Sequence, residues 1–224
     1  MKTINNIQKI VKEEIERFVD TSLPIKNLKR VYHVGDMDIN SKSDFSLEGS
    51  GLSVSVNPEE WRKIAQLGGR SLYELTKPNG MFVNAYRLKK AQRQDIIQWG
   101  VTNNYVTLTD TYRVYQYDEE GRRSYMEFPT YEKAQAQVDD PKDIKISKTG
   151  LLPTNKLNSE TKQSKIDPTQ TYDLLFTIFV EKTTNYDGIW WNDVLDVYDY
   201  SAPRGVIFNS KLGEWKINKI KNDF

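Results

Sequence analysis

The sequence has no cysteine and a single histidine, His33, among its 224 residues. The missing thiols exclude a disulfide scaffold, a thiolate nucleophile, a cysteine-bound zinc and an iron–sulfur cluster. One imidazole cannot build a multi-histidine metal centre, so no metal site is expected. An excess of charge of one sign is also lacking: 32 Lys+Arg stand against 31 Asp+Glu, a formal net charge of +1. Bulk attraction to nucleic acid or to an anionic membrane is therefore not expected, although a local patch remains open. Long apolar runs are missing too. The longest, Leu174–Val180, is far short of a membrane span, and the first residues carry acids where a signal peptide carries an apolar core. A cytoplasmic protein with no membrane partner is the expectation. A phosphate loop of Walker type, a Gly-x-Gly-x-x-Gly turn and a Gly-x-Ser-x-Gly elbow are all absent.

What is there reads as a mixed α+β chain, mainly antiparallel, with more strands than helices and no βαβ alternation. Ile4, Ile7, Val11, Ile15 and Phe18 recur at helical spacing and predict an amphipathic N-terminal helix within residues 1–28. Arg30 to Gly35 predicts a short strand. After a polar loop, Leu52, Val54 and Val56 alternate with Ser53 and Ser55, a strand with one apolar and one small polar face. Asn57-Pro58 with Glu60 starts a helix, which Gly68-Gly69 end. Pro78-Asn79-Gly80 reads as a turn before a strand at Met81–Leu88, and Lys90–Trp99 as a helix stopped by Gly100. Tyr105–Tyr117 and Arg122–Phe128 form a hairpin, followed by a helical turn or two in Thr130–Val138. The aromatic-free stretch 139–167 predicts a polar, irregular insertion. It divides one domain, 1–224, into core halves 29–138 and 168–224. Leu174, Leu175, Ile178 and Phe179 fit a helical face, with a strand reading also open. Asn185 to Gly188 is a turn, followed by Ile189 to Asp193; Val194–Ser201 continues, and Ala202 to Phe208 precedes a last strand near Glu214–Ile220.

Three motifs stand in order: Tyr32-His33-Val34-Gly35; Gly51-Leu52-Ser53-Val54-Ser55 leading into Asn57-Pro58-Glu59-Glu60-Trp61; and Tyr186-Asp187-Gly188-Ile189. This order resembles the ADP-ribosyltransferase superfamily, in its histidine-first branch. The likeness spans most of the chain but touches about a quarter of its residues. It implies a two-sheet core with NAD, as substrate, bound in a cleft between the sheets. ADP-ribose would pass to an acceptor of unidentified kind (protein, nucleic acid or small molecule). By this resemblance His33 matches the histidine that bonds the adenosine ribose, with Tyr32 beside it, and Gly35 lies next to the nicotinamide amide. Ser53 and Ser55 fall on the second motif strand, where many members carry a stacking tyrosine at the Ser53 position. Serine cannot stack, which leaves Tyr73, Tyr86 or a late tryptophan, Trp190 among them, to form that wall, or else a different ligand. The family's acidic residue falls on Asp193, Asp196 or Asp199, and spacing favours Asp196.

The chemistry can be argued from the residues themselves. Breaking a nicotinamide–ribose bond builds positive charge on the ribose, as in glycoside hydrolysis, and a fixed carboxylate stabilises that charge. Arg204 matches a pyrophosphate through paired hydrogen bonds. The resulting expectation is a catalytic pair of His33 and Asp196, with Tyr32, Gly35, Ser53, Ser55, Trp190 and Arg204 holding NAD. A non-catalytic module on the same fold, binding a nucleotide, nucleic acid or protein, is the second expectation. Nucleic-acid stacking on the tyrosine-rich hairpin with Arg113, Arg122 and Arg123 is the third.

Overall fold

The computed structural model describes residues 23–35, 37, 51–64, 70–117, 123–161, 166, 168–191 and 203–220. The expected N-terminal helix, the loop 38–50 and the glycines at 68 and 69 lie outside them, as do Asp193, Asp196 and Asp199. The chain divides into two compact units: residues 1–95 with 177–224, and residues 96–176.

The first unit is built on β1 (Ile25–Val34), β2 (Leu52–Ser55), β3 (Leu72–Asn84), β7 (Gly188–Trp191), β8 (Arg204–Ile207) and β9 (Lys216–Ile220). They form one sheet in the order β1-β2-β8-β7-β3-β9, and an added β1–β3 pairing closes five of the strands into a barrel. Neighbours run antiparallel except β3 and β7, which pair in parallel through Phe82↔Gly188, Val83↔Ile189 and Asn84↔Trp190. Strand alternation sends one face of each strand inward. Val31, Leu52, Val54, Leu75, Phe82, Trp190 and Ile207 meet there, with Leu212 and Trp215 joining from the C-terminal segment. Phe82 lies edge-on to both Trp190 and Trp215, at 6.1 and 5.8 Å between ring centroids.

The helix expected after Asn57 is α1 (Pro58–Ile64). Its cap is realised, since the Asn57 side-chain oxygen accepts from the Glu60 amide at 3.4 Å. Pro78-Asn79-Gly80 does not divide two strands. The register with β1 passes from Leu28↔Gly80 to Arg30↔Thr76, so residues 77–79 make a bulge inside one continuous β3. Glycine is required at position 80 because a Cβ there would stand 2.3 Å from the Leu28 carbonyl oxygen and 2.6 Å from the Trp215 ring.

The second unit carries a three-stranded antiparallel sheet in the order β5-β4-β6, with β4 at Val106–Tyr117, β5 at Arg123–Phe128 and β6 at Ile144–Pro153. The hairpin register runs from Tyr112↔Phe128 to Tyr117↔Arg123. Strand β6 lies inside the stretch read as an irregular insertion, which overturns that expectation. Its apolar residues find partners only across the sheet, as in Leu108↔Leu151 and Tyr112↔Ile146, a pairing that local composition does not disclose.

Four further helices follow in the chain: α2 (Lys90–Thr102), α3 (Tyr131–Gln135), α4 (Asn155–Thr161) and α5 (Thr171–Thr183), with α6 (Asn209–Leu212) near the end. Helix α2 runs through Gly100 rather than stopping there. A Cβ on Gly100 would lie 2.7 Å from the Leu175 methyls, so the glycine serves close packing. The chain leaves α2 at Asn104, whose φ is +59°. The apolar segment at Leu174–Phe179 is helical, which resolves the open choice there. Among the described residues, no helix is long and apolar enough to cross a membrane.

Candidate functional site

His33 stands two residues along β1 from Val31, on the face that lines the barrel, and pairs across the sheet with Tyr73 as Val31 pairs with Leu75. The two rings are 6.3 Å apart between centroids at an interplanar angle of 34°. Tyr73 pairs in turn with Lys219 of β9, whose ammonium lies 5.7 Å from the Tyr73 ring centroid. One end of the barrel therefore carries a row of imidazole, phenol and ammonium.

The imidazole is oriented by its neighbour strand. Nδ1 lies 2.8 Å from the Ser53 carbonyl oxygen. A carbonyl only accepts, so Nδ1 carries the hydrogen, and in the neutral ring the basic nitrogen is Nε2. Nε2 faces Gly35: a Cβ on that residue would sit 3.2 Å from it, and Gly35 has a φ of +140°. Both the backbone angle and the clearance beside the ring call for glycine. The Gly35 amide donates to the Ser71 carbonyl oxygen at 2.9 Å, which ties the turn to the start of β3.

The remaining expected contacts lie elsewhere on the barrel wall. Because Leu52 and Val54 belong to the interior, Ser53 and Ser55 face outward, and Tyr32 does so beside His33. Tyr32 pairs with Ser55, Ser55 with Arg204, and Arg204 with Trp191, a single outward row across four strands. The Arg204 guanidinium lies 5.7 Å from the Trp191 ring centroid. Ser55 is fully buried; its hydroxyl donates to the Pro203 carbonyl oxygen at 2.7 Å and accepts from the Asn57 amide at 3.0 Å. It ties the entry of β8 to the cap of α1 and is closed to a ligand. Among the described residues, the enclosed Ser53 hydroxyl has no hydrogen-bond partner.

Trp190 does not wall a cleft. It is wholly buried in the barrel, and its neighbour Gly205 exists to admit it, since a Cβ there would stand 2.5 Å from the indole. At the barrel end away from His33, the Lys26 ammonium lies 4.9 Å from the Trp190 ring centroid. Burial first, and then the charge of Arg87, push the Lys26 pKa below the usual lysine range. Tyr86 is 73% exposed. Of the three stacking candidates, Tyr73 is the one the fold brings to the imidazole. Sequence reasoning had no signal to choose it, because the pairing joins residues 40 apart through β-sheet register.

The motif aspartate Asp187 has a structural position. It is 1% exposed and pairs with the Lys77 ammonium at 2.6 Å. Its other oxygen accepts from the Met81 amide at 2.7 Å, and Trp215 Nε1 donates at 3.3 Å. Lys77 also pairs with Glu214 at 2.6 Å. Burial opposes the charge on Lys77, but its hydrogen bonds to Asp187 and Glu214 outweigh that and hold its pKa above the usual lysine range. The same contact with Lys77 holds Glu214 below the usual carboxylate range.

Among the described residues, no three acidic or histidine side chains are placed to hold a metal ion. No protein-family model, no curated protein and no solved structure matches the chain.

Proposed function

We propose that this protein is an ADP-ribosyltransferase-like NAD-binding protein that transfers ADP-ribose to a macromolecular or small-molecule acceptor. The nicotinamide and the adenosine ribose of NAD are taken at the barrel mouth of His33, Gly35 and Tyr73. The observation that carries the reading is the cross-strand pair His33–Tyr73, with the imidazole oriented through Nδ1 by the Ser53 carbonyl. In this reading Nε2 meets a ribose hydroxyl, the Gly35 backbone lies beside the amide, and the Tyr73 face supplies the stacking that Ser53 cannot. Lys219, above the same ring, attracts the negative phosphates. The carboxylate that stabilises the ribose cation comes from 193–199, with Asp196 as the assigned residue. Tyr32 and Arg204, on the outer face of the wall, are better suited to an extended part of the ligand than to the nicotinamide ring.

The test uses the full chain with radiolabelled NAD and a cell lysate as acceptor source, following nicotinamide release and label transfer. Wild type releases nicotinamide. His33→Ala and Asp196→Asn each lose at least 100-fold, Tyr73→Phe keeps most of the rate, and Tyr73→Ser loses about five-fold, since one aromatic contact is worth about 1 kcal/mol. Equal rates in wild type and His33→Ala overturn the reading. A second reading, a non-catalytic binding module on this fold, draws on a particular observation: His33 is only 9% exposed. Thermal stabilisation by NAD without nicotinamide release selects it with NAD as its ligand, and no stabilisation by NAD rejects the transferase and favours a module for another ligand.

A further inference from the structure

The second unit contains a cavity of about 680 Å³, bordered among others by Glu127, Phe128, Lys133, Leu152, Pro153 and Ile166. Its size lies within the range of small-molecule sites, and its walls have the usual character of one: mostly apolar, with a few polar groups. The polar group of note is Glu127, whose side chain is 6% exposed. It belongs to no part of the chemistry above, and all the residues named here lie within 96–176.

The carboxylate is held but not saturated. Oε1 accepts from the Thr111 hydroxyl. Oε2 accepts from Arg113 Nε at 3.4 Å. Each carboxylate oxygen has two lone pairs, so each retains one acceptor position. Arg113 already compensates the negative charge. A ligand therefore need not be a cation; what it must supply is two adjacent N–H donors, one for each oxygen. Lys133 on the border is exposed to solvent and offers a cation to an anionic substituent.

We infer that this cavity is a binding site for a planar ring with a two-donor N–H edge, of guanine or amidine type, the carboxylate of Glu127 accepting both hydrogens. Guanine presents N1–H and the N2 amino group side by side; adenine presents a lone pair next to its amino group and is repelled by a carboxylate. The inference does not rest on the NAD reading.

Calorimetric titration of the full chain with guanosine monophosphate, adenosine monophosphate and benzamidine tests it. Guanosine monophosphate and benzamidine bind, and adenosine monophosphate binds at least ten-fold more weakly. Glu127→Gln replaces one acceptor oxygen by a donor and weakens both ligands at least ten-fold. Lys133→Ala weakens the nucleotide several-fold and leaves benzamidine unchanged. Ala136→Trp, at an exposed position bordering the cavity, blocks both ligands without touching the Glu127 contacts, which covers the case in which Glu127→Gln fails to fold. Binding of benzamidine alone assigns the site to amidine-type ligands. Equal binding of the two nucleotides, or binding untouched by Ala136→Trp, overturns the inference. His33→Ala leaves every one of these affinities unchanged, so the outcome is separable from that of the NAD experiment.

Discussion

The two units solve the problem of sheet edges in opposite ways. In the first, β1, β2, β8, β7 and β3 each find two neighbours, and closure leaves no unpaired edge among those five. Its interior is packed with large rings, and its polar groups act as fasteners: Asp187 joins Lys77 and Met81 of β3 to Trp215, and Ser55 joins the entry of β8 to the cap of α1. In the second unit, β5 and β6 are sheet edges. Large apolar groups there remain in water, with Ile146 at 62% and Tyr117 at 67% exposed. A closed wall transmits the loss of any inward side chain to all its members, whereas an open sheet absorbs change on its exposed positions. The contrast teaches that inward side chains of the barrel are fixed by packing, while the open sheet keeps large apolar side chains at exposed strand positions.

The sharpest way to break that contrast is Phe82→Ala. Phe82 is fully buried between Trp190 and Trp215, and removing such a ring costs about 3–5 kcal/mol. Urea unfolding followed by tryptophan fluorescence should show a midpoint shift of that size; a loss below about 1 kcal/mol would mean the barrel interior is not packed as described.

A slightly smaller effect is expected from Lys77→Met. It leaves the buried Asp187 carboxylate with the Met81 amide and the Trp215 indole alone. Breaking a buried pair costs about 3–5 kcal/mol, and the two remaining donors place this one near the lower end. The pH dependence follows from the shift directions. The Lys77 pKa is raised, so its contribution is whole below the ordinary lysine range, about 10.4, and is lost as pH rises through the higher folded value. The Glu214 pKa is lowered, so its contribution is present above the ordinary carboxylate range and is lost as pH falls through the lower folded value. The gap between wild type and Lys77→Met should thus stay level from pH 6 to about 10 and narrow above that. A gap that widens in alkali would refute the assignment.

The least effect is expected in the second unit. Ile146→Thr keeps a β-branched side chain at an exposed strand position and should change stability by no more than about 0.5 kcal/mol. A loss above 1 kcal/mol in the same urea experiment would show that this face is covered.

Much of the local architecture could be read in advance. The Ser-Val alternation of β2, the Asn57 cap and the tyrosine hairpin are written in short-range chemistry, in which each residue's partner lies within a few positions. Within the candidate site, the strand of His33 and Gly35 was legible for the same reason. Their companion was not. Tyr73 meets His33 through a register set by the bulge at residues 77–79. The division of neighbours between faces was also only half visible: alternation says that Tyr32 and His33 point apart, as do Trp190 and Trp191, but not which of each pair looks inward. Strand β6 was missed because its Ile and Leu residues are scattered among polar ones, and they acquire meaning only against β4.

The sequence by itself therefore determined what chemistry is on hand: one imidazole, no thiol, a helix cap and a tyrosine-rich hairpin. These depend on composition and on contacts between near neighbours, which the chain carries in any conformation. Tertiary structure alone decided that Trp190 is core, that Ser55 and Asp187 are fasteners, that Tyr73 faces the imidazole and that Glu127 borders a cavity. Barrel closure and cross-strand register bring together residues tens of positions apart, and such contacts carry no signature in the spacing of a single sequence.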